Sequence, residues 1–128
     1  YRGQSELQSS SGLIVSTGLG STAWLKSVVT GSLAISKALG ATDSNPYAPL
    51  PWDSQELMFA VREPFPSRSS QASMVFGRVS AQETLKLRSR MPDAGVIFSD
   101  GIEADFLRFA AGVEAVVGPA AAQGCLVQ

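Results

Sequence analysis

The stretch from residue 22 to residue 39 carries apolar side chains at helical spacing, in a chain of 128 residues. This spacing predicts one long helix with a single apolar face. Ser21 is the predicted N-cap of this helix, and Gly40 is a natural residue to end it. The residues on the predicted face are Trp24, Leu25, Val28, Val29, Ser32, Ile35 and Leu39. We therefore expect a mainly β fold with one long helix.

Strand patterns account for much of the remaining chain. Leu85 and Leu87 alternate with Lys86 and Arg88, which is the period of two that a half-buried strand shows. Asp100-Gly101 lies between two apolar runs and is typical of a hairpin turn. The strands predicted in this way are 12–17, 56–62, 72–80, 83–91, 95–99, 102–107, 113–117 and 125–127.

A proline-rich loop, residues 41–53, separates the helix from the later strands. We expect Tyr47 and Trp52 to order this loop by packing against the body of the protein. Arg62 follows the next strand and is expected to be a solvated side chain paired with Glu63, although it could instead anchor a phosphate or a neighbouring subunit. The length of the chain predicts a single domain over residues 1–128.

Composition excludes several kinds of site. The chain has no histidine, so Ser-His-Asp and Cys-His catalysis and His-ligated metals are excluded, and no metal site is expected. The formal net charge of −1 gives no field that would attract nucleic acid, and no apolar run is long enough to span a membrane. A single cysteine, Cys125, cannot form an intrachain disulfide, which favours a reducing compartment and a cytoplasmic location.

The segment between the first strand and the helix is rich in glycine and has the spelling G-x-G-x-x-A at residues 18–23. A dinucleotide fold would need a parallel strand ending in an acid about 20 residues later, but that position falls near Asp43 in the proline-rich loop. A phosphate-binding P-loop would need a lysine after Gly20, and none is there. Two interpretations stay open: a tight turn whose glycines supply positive φ, or a site where helix N–H groups and hydroxyls meet a ligand.

The segment SSGLIVSTGLGSTAW, residues 10–24, resembles the signature of the NAD kinase family, which is usually spelled close to GDGLIVSTPTGSTAY. It is more similar to a divergent branch that includes the mitochondrial NAD kinases of animals. MFAVREPFPSR, residues 58–68, and AGVIFSDGIEADF, residues 94–106, resemble later segments of the same family. The resemblance covers essentially the whole chain, and it places the chain in the NAD kinase/diacylglycerol kinase-like superfamily.

The resemblance implies the C-terminal domain of a two-domain enzyme, a β-sandwich that binds NAD and forms the oligomer. The N-terminal domain of the family carries a Gly-Gly-Asp-Gly motif whose Asp is the general base, and this chain has no such motif. The implied reaction transfers a phosphoryl group to NAD from ATP or polyphosphate with Mg²⁺. The implied partners are NAD, the enzyme's own N-terminal domain and further copies of the chain, and the chain alone is expected to be inactive, with no catalytic residue of its own.

The resemblance also implies which residues bind the substrate. Thr22, Ala23 and Trp24 match the positions that line the dinucleotide site, and Ser27 matches one that reaches the adenine side. The full set is Ser11, Thr17, Gly18, Gly20, Ser21, Thr22, Ala23, Trp24 and Ser27. Ser11 replaces the usual Asp, Gly18 replaces Pro and Trp24 replaces Tyr.

Two other functions stay open at this point. The replacement of Asp by Ser11 is compatible with a kinase of the same superfamily that acts on a sugar or a lipid-like alcohol. A non-catalytic, β-rich interaction domain would retain the fold alone.

Overall fold

The computed structural model of the chain describes residues 1–42, 47–99, 102, 104–122 and 124. Within these residues the chain forms a short 3-10 turn, one α-helix and seven strands. In chain order they are β1 (Gly12–Ser16), the 3-10 turn (Gly20–Thr22), α1 (Trp24–Ala38), β2 (Leu57–Arg62), β3 (Phe76–Val79), β4 (Leu85–Arg88), β5 (Val96–Phe98), β6 (Phe106–Arg108) and β7 (Glu114–Val117).

The strands form three small antiparallel sheets. One sheet has three strands in the order β1-β2-β3, and the other two are the pairs β4-β7 and β5-β6. The β-sandwich implied by the resemblance is therefore wrong for the described residues, which show neither a sandwich nor a closed barrel. The physical reason is that the last four strands pair only with one another, so they add no strand to the larger sheet.

Several element boundaries also differ from prediction. The predicted strand 72–80 shrinks to Phe76–Val79, because the N–H groups of Ser73 and Met74 bond to the Glu6 carboxylate instead of a strand. The predicted strand 102–107 begins only at Phe106. The Asp100-Gly101 turn and the strand predicted at 125–127 lie outside the described residues.

The core lies on both sides of β2. Met58 and Ala60 of β2 pack with Leu25 of α1 and Leu50 of the proline-rich loop. On the other side Phe59 of β2 packs with Val79 and Leu85, and this second cluster extends to residues of β4 and β7. Successive residues of a strand point to opposite faces, so burial on both sides explains the unbroken apolar run in β2.

Only the first turns of α1 enter this core. Leu25 is fully buried and Val28 packs against it, whereas Ile35 and Leu39 are exposed. The predicted apolar face of the helix is therefore buried only around Leu25 and Val28, and it is wrong at Trp24, which is half-exposed, and towards its end. The described residues of the proline-rich loop show the same division, because Tyr47 packs on the core and Trp52 is 70% exposed.

The N-terminal segment is attached to the body through Glu6. The Glu6 carboxylate accepts hydrogen bonds from the side chains of Ser73 and Gln8 and from the backbone N–H groups of Met74, at 2.9 Å, and Ser73. The Ser73 hydroxyl and then the Gln8 amide are the largest causes that lower the pKa of Glu6 to about 2. Because hydrogen bonds to a carboxylate favour its ionised form, this attachment depends on pH.

A pH prediction follows from the sign of this shift. The folded pKa is below the ordinary value of 4.5, so ionised Glu6 stabilises the fold above about pH 4.5, and this contribution is lost as the pH falls towards about 2. We expect Glu6→Gln to lower the urea midpoint at pH 7. Near pH 2 the midpoints of the variant and the parent protein should become equal. Glu63→Gln, at an exposed carboxylate, is the control. If the urea midpoint of Glu6→Gln lay below that of the parent by the same amount at every pH, the prediction would be contradicted.

Candidate functional site

The glycine turn, residues 17–23, carries the chain from the end of β1 to the start of α1. Its backbone is closed by hydrogen bonds from the Ser21 N–H to the Thr17 carbonyl, at 2.9 Å, and from the Ala23 N–H to the Gly20 carbonyl, at 3.0 Å. The bond from Ala23 to Gly20 has the three-residue spacing of the 3-10 turn, and this turn precedes the helix, so the N-cap is Ala23 and not the predicted Ser21. Ala23 has no side-chain oxygen with which to cap the helix.

Ser21 instead joins the glycine turn to the proline-rich loop. Its side chain is fully buried, and its hydroxyl donates to the Gly18 carbonyl at 2.6 Å and accepts from the Leu50 N–H at 3.0 Å. The Tyr47 hydroxyl donates to the Ser21 carbonyl. Burial raises the pKa of Tyr47, and since a phenol is protonated at neutral pH even without this shift, the group is a donor there. Ser21 therefore has a structural role that its predicted ligand contact did not anticipate.

The two glycines of the turn allow close packing, against backbone at Gly18 and against a side chain at Gly20, and they supply no unusual backbone angle. Neither has a positive φ, so that part of the prediction is wrong. A Cβ built on Gly18 would lie 2.0 Å from the carbonyl oxygen of Pro51, and one built on Gly20 would lie 2.7 Å from Ser16 Oγ. The group that approaches the turn at Gly18 is therefore the chain's own backbone.

The outer side of the turn does present side chains to solvent. Thr22 and Ala23 are exposed, and the Trp24 ring is 50% exposed at the first residue of α1. Ser27 is also exposed and lies one helical turn beyond these residues, so it is on their side of the helix. The Thr22 hydroxyl donates to the Leu19 carbonyl at 3.0 Å and still has its acceptor positions.

Arg62 covers part of this surface. Its guanidinium carbon lies 5.0 Å from the centre of the Trp24 ring, within the range of a cation–π contact. Arg62 also pairs with Glu63 at 3.5 Å, as the sequence predicted. The Ser11 N–H donates to the Arg62 carbonyl at 3.2 Å, which brings this exposed residue to the same place. The contact with Trp24 was missed because no spacing in the sequence links residues 38 positions apart.

We name the group formed by Thr22, Ala23, Trp24, Ser27 and Arg62 the Trp24 platform. It combines a flat aromatic ring, a positive charge and hydroxyl groups next to the start of a helix. Ser11 borders it through the Arg62 backbone. Of the other predicted residues, Thr17 is exposed at the far side of the turn and uses its hydroxyl to accept from the Gly20 N–H at 3.4 Å, whereas Gly18 and Ser21 are buried.

The described residues contain no group of three or more cysteine or acidic side chains that could hold a metal ion. They also include no helix with the length and apolar character needed to cross a membrane. An open cleft of about 500 Å³ lies elsewhere, between the N-terminal segment and the loop after β2, and its lining shares no residue with the platform.

Comparison with family models and with curated proteins finds no match to this chain.

The packing at Gly18 gives a stability prediction. Gly18→Ala puts a methyl group 2.0 Å from the Pro51 carbonyl, so we expect a loss of about 1–3 kcal/mol, the usual effect of overpacking. Gly31→Ala is the matched control, because it lies in α1 with open space around it and should gain about 0.5–1 kcal/mol. Urea denaturation of both variants measures the difference. A Gly18→Ala protein as stable as its parent would mean that the loop does not press on the turn.

Proposed function

We propose that this chain is the substrate-binding part of an NAD kinase-like phosphotransferase and that the Trp24 platform forms one wall of its NAD site. The observation that supports this most is the half-exposed Trp24 ring with the Arg62 guanidinium beside it. The sequence resemblance had already assigned Trp24 to the substrate, and the sequence had offered Arg62 as a phosphate anchor only as an alternative to a solvated residue. The contact between the two comes from the geometry alone.

The platform offers the chemical groups that a dinucleotide requires. An aromatic ring stacks on a base, and such stacking contributes about 1–3 kcal/mol per base. A guanidinium pairs with phosphate oxygens in a fixed, forked geometry. The hydroxyl oxygen of Thr22 can accept a hydrogen bond from a ribose hydroxyl, and the hydroxyl of Ser27 can donate to one or accept from it. The partial positive charge at the start of α1 adds to the attraction for the diphosphate.

The phosphoryl donor and the general base are proposed to lie in a separate N-terminal domain, as the resemblance implies. We assign neither Mg²⁺ nor ATP or polyphosphate to this chain. The chain's own contribution is to bind the acceptor and to orient its ribose. We also propose that it associates with that domain and with further copies of itself.

A kinase of the same superfamily with a sugar or lipid-like acceptor is the second candidate. The observation in its favour is Ser11, whose backbone N–H bonds to the Arg62 carbonyl and which stands where most members of the resembled family have an Asp. The third candidate, a non-catalytic interaction domain, is the conclusion to draw if neither class of ligand binds.

Binding of NAD to the isolated chain tests the proposal. We expect a dissociation constant in the micromolar-to-millimolar range by calorimetry, and Trp24→Ala should weaken binding by about 1–3 kcal/mol because the stacking surface is lost. Trp52→Ala is the matched control, since Trp52 is also exposed but lies off the platform.

Stability measurements separate this effect from misfolding. Because Trp24 is half-exposed, Trp24→Ala should change the free energy of unfolding little, whereas the same substitution at a core tryptophan would lower it by about 3–5 kcal/mol. If the parent chain binds no NAD, the NAD assignment fails. If it binds a sugar or a lipid-like alcohol instead, the second candidate replaces it. Equal NAD affinity in Trp24→Ala and Trp52→Ala would move the site away from the platform.

The isolated chain should form no NADP from NAD with Mg²⁺ and either ATP or polyphosphate. The reason is that the base and the donor site are proposed to lie outside it. A coupled enzymatic assay for NADP measures this, with a complete NAD kinase as the positive control. Turnover by the pure chain that Trp24→Ala abolishes would show that the chain carries its own catalytic machinery.

A further inference from the structure

The ion pair between Arg62 and Glu63 differs from three other arginine–carboxylate pairs of the described residues. In those three the guanidinium donates a hydrogen bond to the carboxylate, and the pairs are Arg2–Glu83, Arg78–Glu56 and Arg88–Glu114. In the pair of Arg62 and Glu63 the nearest nitrogen and oxygen atoms are 3.5 Å apart, and no hydrogen bond joins them. The two side chains therefore attract each other by charge alone.

Arg62 is also the least exposed of these four arginines. Its side chain is 32% exposed, whereas the side chains of the other three are 51–73% exposed. The cation–π contact with the Trp24 ring uses the positive charge of Arg62 but supplies no oxygen acceptor. No residue in the described part of the chain accepts a hydrogen bond from this guanidinium. Arg62 is thus a half-buried guanidinium that can still bind the oxygens of an anion in a forked geometry.

Glu63 has a backbone conformation that a residue with a side chain rarely adopts. Its φ of 40° lies in the left-handed region. Pro64 follows it, and a residue before proline favours extended backbone instead. Hydrogen bonds to the Arg62 carbonyl, at 3.2 Å, and from the Phe65 N–H, at 2.8 Å, hold the chain on either side of this strained residue. Strain that the surrounding structure maintains in this way is common at ligand clamps and switches.

We propose that Glu63 is a built-in competitor for the phosphate groups of the ligand. In the free chain its carboxylate occupies the anion position beside Arg62, and a diphosphate takes this position when it binds. The inference rests on the proposed function, because it concerns the anion-binding side of the same Trp24 platform. It gives Glu63, which the sequence offered only as the ion-pair partner of Arg62, a role in deciding which ligands bind.

A diphosphate is a stronger partner for Arg62 than Glu63 is. The Glu63 carboxylate carries one charge, is 64% exposed and makes no hydrogen bond to the guanidinium, so the pair contributes little free energy. A diphosphate brings more negative charge and can accept two parallel N–H bonds from the guanidinium. A neutral ligand gains nothing by moving Glu63 aside. The platform therefore favours a ligand that joins an aromatic base to a diphosphate over an alcohol without phosphate.

Titration followed by NMR measures binding at the platform. The chain has two tryptophans, so the indole N–H signal that persists in Trp52→Phe belongs to Trp24. The ligands are inorganic pyrophosphate, NAD and adenosine, at constant ionic strength because salt screens exposed charges. We expect Glu63→Gln to tighten the binding of pyrophosphate and NAD about threefold and to leave adenosine unchanged. Glu114→Gln, which removes the carboxylate beside Arg88 on β7, is the matched control and should change none of the three affinities.

A double-mutant cycle separates competition for Arg62 from simple repulsion between Glu63 and the ligand. In an Arg62→Ala background the carboxylate has no guanidinium to occupy, so Glu63→Gln should no longer tighten the binding of pyrophosphate or NAD. Simple repulsion would give the same gain in both backgrounds. Urea midpoints confirm that each variant is folded.

Four results would overturn the proposal: no pyrophosphate binding, a pyrophosphate affinity that Glu63→Gln leaves unchanged, an equal gain in the Arg62→Ala background, or a parallel gain for adenosine. The proposed function fails by a different result. Pyrophosphate binding that Glu63→Gln tightens, without any binding of NAD, would support the competitor and contradict the NAD assignment. NAD binding that is equal in the parent chain and Glu63→Gln would support the NAD assignment and contradict the competitor.

Discussion

Strand β2 is covered on both faces, and the other described elements take their places around it. On one face of β2, Met58 and Ala60 pack against α1 and the proline-rich loop. On the other face, Phe59 packs against β4 and β7. The apolar run of β2 thus joins two clusters that would otherwise be separate surfaces. Removing a large side chain such as Phe59 would leave a cavity that neither layer could fill without moving the other.

The candidate site depends indirectly on the packing around β2. Met58 and Ala60 position the first turns of α1, and the Ser21 hydroxyl joins the glycine turn to the backbone N–H of Leu50. These contacts fix where the helix begins and leave Trp24 facing outward at its first residue. β2 then ends at Arg62, whose guanidinium reaches the exposed ring. The platform is therefore formed where the start of α1 meets the end of β2, and the core fixes the positions of both elements.

The structure also separates two meanings of a glycine-rich turn. Such a turn is usually taken to let a ligand approach the backbone, but at Gly18 the close approach is made by Pro51 of the same chain. The residues available to a ligand are the ones that follow, where the backbone enters the helix and the side chains are exposed. A glycine pattern thus marks close packing without saying what is packed.

The sequence by itself determined the helix, the strand positions of β1, β2, β4, β5 and β7, and the antiparallel linkage of the later strands, because periodicity and turn residues act over a few positions. Through the resemblance it also predicted Thr22, Ala23 and Trp24 as candidate substrate-binding residues, and these are adjacent along the chain. Only the tertiary structure decided the three separate sheets in place of a sandwich, the burial of Ser21, the exposure of β5 and β6 and the contact of Arg62 with Trp24. These features depend on which segments, distant in the sequence, pack against the same surface. The spacing of residues within one segment carries no information about that packing.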